Sequence, residues 1–194
     1  MNRQIEFDYI YLNNVWGYKS GPGSDPDFAK PWIDIVNSFL LKDDINTVID
    51  VGCGDWRLGK NYNLIGKKYT GVEISSVIFK ETVLNTTNNI KFINDDFETI
   101  DIHDADLIII KDVLQHLPNS SIYNIVNKVM RKSKYALFCD DMTEVNNKED
   151  VYAGYRSIDL SSDPFNFNFK ILDTFGDKVI RLYTRDGENN GGIS

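Results

Sequence analysis

Two apolar patterns alternate along most of the chain, and each predicts a different element of secondary structure. Short runs of apolar, mostly β-branched residues predict strands at 48–51, 69–73, 90–93, 105–111, 135–139, 169–174 and 179–184. Apolar residues at spacings of three and four predict helices at 28–41, 75–88 and 119–132. The run at 105–111 is the most apolar, so we expect it at the centre of a sheet that is covered on both faces.

The order of these elements predicts an α/β fold. Strand and helix alternate through the first five strands, which favours a parallel sheet with right-handed crossovers. Residues 175–178 separate the last two strands, and a connection this short closes a hairpin, whose two strands are antiparallel. We therefore predict one Rossmann-like domain with a doubly wound, mostly parallel seven-stranded sheet and one antiparallel C-terminal hairpin strand.

Three segments lie outside this pattern and are predicted to be loops of a single domain that spans 1–194. Residues 1–27 are predicted to form a loose lead-in, although Trp16 is costly to leave in water and suggests that this loop packs on something. Residues 141–168 are long, polar and punctuated by Pro and Gly, and loops of that length in compact domains are commonly functional. Residues 186–194 are predicted to be a flexible tail.

Composition and charge exclude several classes of function. The chain has 194 residues, of which 42% are hydrophobic, enough for a substantial core. Its net charge of −8 argues against nucleic acid and anionic membranes as partners, because both attract basic surfaces. The chain shows neither a membrane-length apolar run nor the plan of a signal peptide. Cys53 and Cys139 have no zinc-like spacing, so we expect a cytoplasmic protein without a metal site.

The first strand ends in a glycine-rich turn that carries acids. Asp50 is followed by Gly52, Cys53, Gly54 and Asp55. A ligand can approach bare backbone at glycine, and ligands of open α/β sheets lie past the carboxyl ends of the strands. A phosphate-binding loop would not carry two carboxylates. The turn therefore favours a cationic ligand.

Further acids stand at the ends of the next two strands. Glu73 ends the second strand about 20 residues after the glycine turn, a distance at which a carboxylate accepts the ribose hydroxyls of an adenosine. A solvated acid at a strand end is the alternative interpretation. Asp96, followed by Phe97, ends the third strand and is a candidate acceptor for the adenine amino group. Asp95 is its immediate rival for that role.

The end of the fourth strand supplies candidates for chemistry. KDVLQHLP (111–118) places Lys111, Asp112 and His116 near the same edge of the sheet. The alternative is a surface ion pair followed by a structural histidine. An imidazole titrates near neutral pH and is suited to take a proton from a hydroxyl. Arg156, in the long segment, is either a cation that faces an acceptor or the ion-pair partner of a nearby aspartate.

Two of these strings resemble motifs of the class I S-adenosylmethionine (SAM) dependent methyltransferases. VIDVGCGDW (48–56) resembles their first motif, and KDVLQHLP resembles the segment after their fourth strand. The resemblance implies SAM as cofactor, S-adenosylhomocysteine (SAH) as product, and no metal. The cofactor-binding residues predicted in this way are Trp16, Ser20, Ser24, Asp50, Gly52, Cys53, Gly54, Asp55, Trp56, Glu73, Ile74, Asp95, Asp96, Phe97, Lys111 and Asp112. The predicted catalytic residues are His116, Asp112 and Arg156.

Further strings extend the resemblance over nearly the whole chain. WG followed by SGPGSD, CGD after the first strand, and GYRSIDL…PFNF (154–167) together resemble a small, mostly uncharacterised bacterial and viral subgroup of these enzymes. The chain departs from that pattern at Tyr155 and Asp159, where Trp and Asn are expected, and at Val51-Gly52, where a proline is expected. Many members of the subgroup lie among glycan-modifying functions, which implies a sugar or another small hydroxylated acceptor.

Several functions follow from these residues, and the first is preferred. It is O-methylation of a sugar hydroxyl with His116 as general base, under a lid formed by 141–168 with Tyr152, Tyr155 and Phe165 as apolar walls. N-methylation of a small amine and a SAM-binding subunit without turnover are the alternatives. A nucleic-acid methyltransferase is disfavoured by the negative charge and by the lack of an Asn/Asp-Pro-Pro-aromatic string after the fourth strand.

Overall fold

The structure, a computed structural model, describes residues 3–148 and 153–185. Its helices within these ranges are α1 (Arg3–Leu12), α2 (Lys30–Leu40), α3 (Ser76–Thr82) and α4 (Asn119–Lys132). Its strands are β1 (Thr47–Val51), β2 (Lys68–Glu73), β3 (Ile90–Asn94), β4 (Ala105–Lys111), β5 (Ser133–Asp141), β6 (Lys170–Phe175) and β7 (Lys178–Thr184). Tyr152 and the predicted tail at 186–194 lie outside the described residues.

The strands form one sheet in the order β3-β2-β1-β4-β5-β7-β6. Neighbouring strands from β3 to β5 are parallel, whereas β7 runs antiparallel to both β5 and β6. The predicted fold class is therefore confirmed, including the C-terminal hairpin. The chain builds outward from β1 to β3 and then crosses to β4, so the strand order reverses between β1 and β4. In such sheets, that reversal point opens a crevice at the carboxyl ends of the strands.

The core lies on both faces of the sheet, because β4 is covered from both sides as its sequence predicts. Ile108 and Ile110 pack with α4, whereas Leu107 and Ile109 pack with α2 on the other face. All four side chains are fully buried. The helices α2 and α4 each present one apolar stripe to the sheet. The stripe of α2 comprises Trp32, Ile33, Val36, Phe39 and Leu40, and that of α4 comprises Ile122, Ile125, Val126 and Val129.

The prediction of a loose N-terminal lead-in was wrong for residues 3–12, which form the helix α1. Phe7 and Ile10 are buried against the core. The Asp8 carboxylate accepts hydrogen bonds from the hydroxyls of Ser75 (2.7 Å) and Ser76 (2.8 Å) at the start of α3. Sequence reasoning missed the helix because it has apolar side chains on its outer face as well, such as the exposed Tyr9, so no clean stripe appears.

The segment between β5 and β6 packs against the domain in its described parts, 142–148 and 153–168. Its buried apolar side chains are Ile158, Leu160 and Phe165. The Asn147 side chain donates to the Asp159 carbonyl at 2.8 Å, and Arg181 of β7 donates to Asp159 Oδ1, also at 2.8 Å. These contacts fasten the segment to the sheet. Among the described residues, no helix combines the length and the apolar character needed to cross a membrane.

Candidate functional site

A cavity of about 460 Å³ opens at the carboxyl ends of β1, β2 and β4, where the strand order reverses. Its volume is typical of a small-molecule site. α1 and the loop from Trp16 to Ser24 form its other wall. The predicted site residues that line it are Trp16, Ser20, Ser24, Asp50, Gly52, Cys53, Gly54, Asp55, Glu73, Ile74, Asp95, Asp96, Phe97, Lys111, Asp112 and His116.

The glycine turn brings bare backbone to the cavity. Gly52 and Gly54 have positive φ angles of 70° and 55°, which glycine adopts without strain. A Cβ on Gly52 would lie 2.4 Å from the side chain of Val113, and one on Gly54 would lie 2.3 Å from Ser20 Oγ. Both positions therefore exclude a larger residue, and the turn forms a cradle into which a ligand can approach the main chain.

Two buried carboxylates face the cavity at the ends of β1 and β2. Glu73, only 4% exposed, accepts the backbone N–H groups of Gly54 (2.9 Å) and Ser75 (2.8 Å). Asp50 Oδ2 accepts the hydroxyl proton of Tyr69 at 2.6 Å. Burial raises the pKa of each carboxyl to about 7. Neither forms an ion pair within residues 3–148 and 153–185, so a cationic ligand would favour their ionised forms.

The edge of the cavity beside β3 holds the two candidates for an adenine contact. Arg3 of α1 donates to both oxygens of Asp96, at 2.9 and 2.7 Å, which ties α1 to the loop after β3. Asp95 is exposed, and its carboxylate accepts the Asp96 N–H at 2.7 Å. Phe97 is buried next to them. Both aspartates line the cavity, so the choice between them stays open.

At the end of β4, the carboxylates are paired with lysines. Asp112 has a positive φ of 55° and forms ion pairs with Lys111 and, at 2.9 Å, with Lys178 of β7. Lys178 Nζ also lies 3.4 Å from Asp141 Oδ2. Burial alone would raise the pKa of Asp112, but the charges of the two lysines bring it below its ordinary value. Lys111 Nζ also donates to the Gly23 carbonyl at 2.8 Å, which anchors the N-terminal loop.

His116 lies in the same part of the wall, in the short turn after β4, and is 6% exposed. Its Nδ1 contacts the Gly154 carbonyl oxygen. Because a carbonyl oxygen can only accept, Nδ1 carries the proton and Nε2 keeps its lone pair. The ring packs on Trp16 with centroids 4.8 Å apart. Burial lowers the pKa of His116 below its ordinary value, so the imidazole is neutral at pH 7.

Two predicted site residues do not line the cavity, and both assignments need correction. Trp56 has a positive φ of 58°, and its side chain packs on Tyr69 and Phe92 in the core on the α2 face. Arg156 is buried and donates to the Leu117 carbonyl (2.9 Å) and to Asn119 Oδ1 (2.6 Å). It therefore fastens the late segment to the start of α4 instead of facing an acceptor.

The late segment contributes less to the cavity than predicted. Tyr155 lines it and donates to the Asp141 carboxylate, whereas Phe165 is buried in the core. Sequence reasoning also missed further lining residues, among them Tyr11, Lys178 and Asp141. Tyr11 lies in the stretch predicted to be loose. Lys178 and Asp141 gave no signal, since their pairing depends on the register of β7 against β5.

Comparison with known proteins settles the family. The family described as methyltransferase domain matches residues 42–174, more than half of the chain. The chain belongs to this methyltransferase family. Among curated proteins, none matches the chain.

Solved structures of methyltransferases share the fold. Magnesium protoporphyrin IX methyltransferase from Synechocystis PCC 6803, solved with SAH, has a TM-score of 0.65 at 17% identity over 94% of this chain and 97% of that chain. N-methyltransferase NodS from Bradyrhizobium japonicum WM9, also with SAH, has a TM-score of 0.70 at 11% identity over 95% and 98% of the two chains. Family and fold together confirm the predicted enzyme class, a class I methyltransferase with SAM as its cofactor.

Proposed function

We propose that this methyltransferase transfers a methyl group from SAM to a hydroxyl of a small neutral acceptor, such as a sugar, with His116 as general base. The observation that carries the proposal is the state of His116. Its Nδ1 is engaged by the Gly154 carbonyl, and the neutral ring lines the cavity. The remaining nitrogen, Nε2, is therefore able to accept a proton from an acceptor hydroxyl.

The cofactor is proposed to lie along the cavity from β3 towards β4. Glu73 would accept the ribose hydroxyls, and Asp95 or Asp96 the adenine amino group, beside Ile74 and Phe97. The bare backbone of the glycine turn would approach the amino-acid part, as would the ends of β1 and β4 and the N-terminal loop. The residues assigned to that part are Trp16, Ser20, Ser24, Asp50, Gly52, Cys53, Gly54 and Asp55, and Lys111 and Asp112 are assigned to the boundary where the cofactor meets the acceptor.

The chemistry required of the protein is limited. When bound, SAM supplies an electrophilic methyl group on a sulfonium, and the transfer is a displacement at carbon. The cavity then has to hold an acceptor oxygen in line and keep water away. Trp16 and Phe7 surround the His116 ring at centroid distances of 4.8 and 6.5 Å, which supports a dry environment for proton transfer.

The charges near His116 support a hydroxyl over an amine as acceptor. An amine arrives as a cation and is held best by a carboxylate that has no other partner. Here Asp112 and Asp141 share Lys178, and Asp112 also pairs with Lys111. The two carboxylates and two ammonium groups of this ion-pair cluster sum to zero, and the further lining acid, Asp177, is exposed to solvent. The buried part of this end therefore suits a neutral acceptor. The resemblance of 154–167 to glycan-associated methyltransferases supports a sugar in particular.

His116→Ala is the test of this proposal. Removal of a general base lowers turnover by roughly 10²- to 10⁴-fold, while SAH affinity should stay unchanged because the ring faces the acceptor. Turnover is measured as methyl transfer from labelled SAM to a panel of sugars and matched amino sugars. SAH affinity is measured by calorimetry. His103→Ala, at an exposed position, is the matched control.

The pH profile separates the two acceptor classes further. The pKa of His116 lies below its ordinary value, so wild-type turnover should rise with pH in the acid range and be flat by about pH 7. Full turnover in His116→Ala, with transfer to the amino sugars only, would instead support N-methylation. SAH binding without transfer to any acceptor class would support a subunit that binds the cofactor without turnover.

A further inference from the structure

Tyr11, on the inward face of α1, brings a hydroxyl to the part of the cavity beside the glycine turn and Glu73, where the cofactor is proposed to lie. This part is called the cofactor end. Its Oη lies 3.3 Å from Ser20 Oγ. The Ser20 hydroxyl in turn donates to Asp55 Oδ1 at 3.2 Å and accepts the Asp55 N–H at 3.1 Å. Ser20 has one proton and directs it to Asp55, so the Tyr11 proton can point either to Ser20 Oγ or to a ligand in the cavity.

The same hydroxyl lies next to the bare backbone of the glycine turn. A Cβ on Gly54 would be 3.4 Å from Tyr11 Oη, and the Gly54 N–H donates to Glu73 Oε2 at 2.9 Å. Tyr11, Gly54 and Glu73 therefore converge on one part of the cavity wall. Burial and then the negative charge of Glu73 raise the pKa of Tyr11 above its ordinary value, so the hydroxyl keeps its proton at neutral pH.

A ribose presents hydroxyl groups that both donate and accept hydrogen bonds, whereas an ionised carboxylate only accepts. Glu73 can therefore satisfy the ribose protons but not the ribose oxygens. We propose that Tyr11 is a further cofactor-binding residue, whose hydroxyl donates to the ribose of an S-adenosyl ligand. This rests on the proposed function, because it takes the ribose to lie at Glu73.

The surroundings of Tyr11 allow its hydroxyl to be tested alone. The ring packs edge-on against Trp16 with centroids 5.6 Å apart, and phenylalanine keeps that contact. Tyr9 lies on the outward side of the same helix and is 62% exposed. Tyr9→Phe is therefore a control that removes the same hydroxyl from the same helix without touching the cavity.

Calorimetric titration of SAH and of adenosine into the full chain, Tyr11→Phe and Tyr9→Phe provides the test. A neutral hydrogen bond contributes modestly, so Tyr11→Phe should weaken SAH binding about 3- to 10-fold. Adenosine, which retains the ribose, should lose the same factor. Tyr9→Phe should bind both ligands as the unchanged chain does, and thermal midpoints should match across the three proteins.

Equal SAH affinity in Tyr11→Phe and the unchanged chain would overturn the inference. A loss for SAH without a loss for adenosine would also overturn it, because the hydroxyl would then act on the homocysteine part. If the unchanged chain bound no SAH, the failure would lie with the proposed function instead. Wild-type binding by Tyr11→Phe leaves that function intact and removes only the role of Tyr11.

Discussion

Two pairs of carboxylates, one at the proposed cofactor end of the cavity and one at the proposed acceptor end, experience opposite electrostatic conditions. At the cofactor end, Asp50 and Glu73 are buried with neutral donors, and burial raises the pKa of each to about 7. At the acceptor end, Asp112 and Asp141 have pKa values below the ordinary range. Burial would raise the pKa of both carboxyls. The charges of Lys111 and Lys178 outweigh burial at Asp112, and hydrogen bonds from Tyr155 and its neighbours outweigh burial at Asp141.

This difference indicates what each end needs from a ligand. A buried carboxylate without a cation is unfavourable in its charged form, and a bound cation relieves that cost. The cofactor end therefore gains from a ligand that carries positive charge. At the proposed acceptor end, the protein already supplies the cations, so a neutral acceptor leaves Asp112 and Asp141 paired with the lysines. This difference supports the proposal that one cavity holds a cationic donor beside an uncharged acceptor.

The largest expected effect comes from removing the shared cation of the acceptor end. Lys178→Met would leave Asp141 without its lysine and Asp112 with Lys111 alone. Breaking a buried ion pair by removing one partner is strongly destabilising, so we expect the free energy of unfolding to fall by about 3 kcal/mol. Urea unfolding at pH 7.5 measures it. Lys170→Met, at an exposed position on β6, is the control.

Wild-type stability in Lys178→Met would contradict the charge balance at the acceptor end. It would mean that other groups compensate the two aspartates. The charges at this end would then no longer favour a neutral acceptor, although His116 would remain a candidate base.

A smaller effect is expected when a carboxylate of the cofactor end is removed. Glu73→Ala deletes charge-assisted hydrogen bonds to the ribose, worth roughly 1.5–3 kcal/mol, so SAH affinity should fall about 10- to 100-fold. Calorimetry compares it with Glu144→Ala, an exposed acid outside the cavity. Undiminished SAH binding in Glu73→Ala would place the ribose elsewhere.

The smallest expected effect is a pH dependence of stability that Asp50 contributes. Its pKa is about 7 in the folded state and about 3.9 when unfolded, so the folded protein binds more protons between these values. The free energy of unfolding should therefore fall as pH rises from about 5 to 8. Asp50→Asn should reduce that fall by about 1–2 kcal/mol in urea unfolding. If Asp50→Asn left the pH dependence of the free energy of unfolding unchanged, Asp50 would not have a raised pKa in the folded protein.

The sequence by itself determined the sheet and many of the residues that line the cavity. β-branched runs, helical spacing and the four-residue hairpin connection are local signals, and they specified the seven strands found within 3–148 and 153–185 and the hairpin of β6 and β7. The glycine turn and Glu73 could be placed together because parallel strands align their carboxyl ends at one edge of the sheet. No long-range contact had to be known for these inferences.

Only the tertiary structure decided how the acceptor end is charged and which residues cover the cavity. Lys178 and Asp112 are far apart in the chain and form an ion pair because β7 pairs with β5. No local sequence pattern encodes that pairing. α1 is a helix because the core buries Phe7 and Ile10, since its own apolar pattern is not clean. Trp56 packs in the core on Tyr69 and Phe92, and Arg156 fastens the late segment to α4. Each outcome depends on packing between distant segments, which residue types and spacings do not specify.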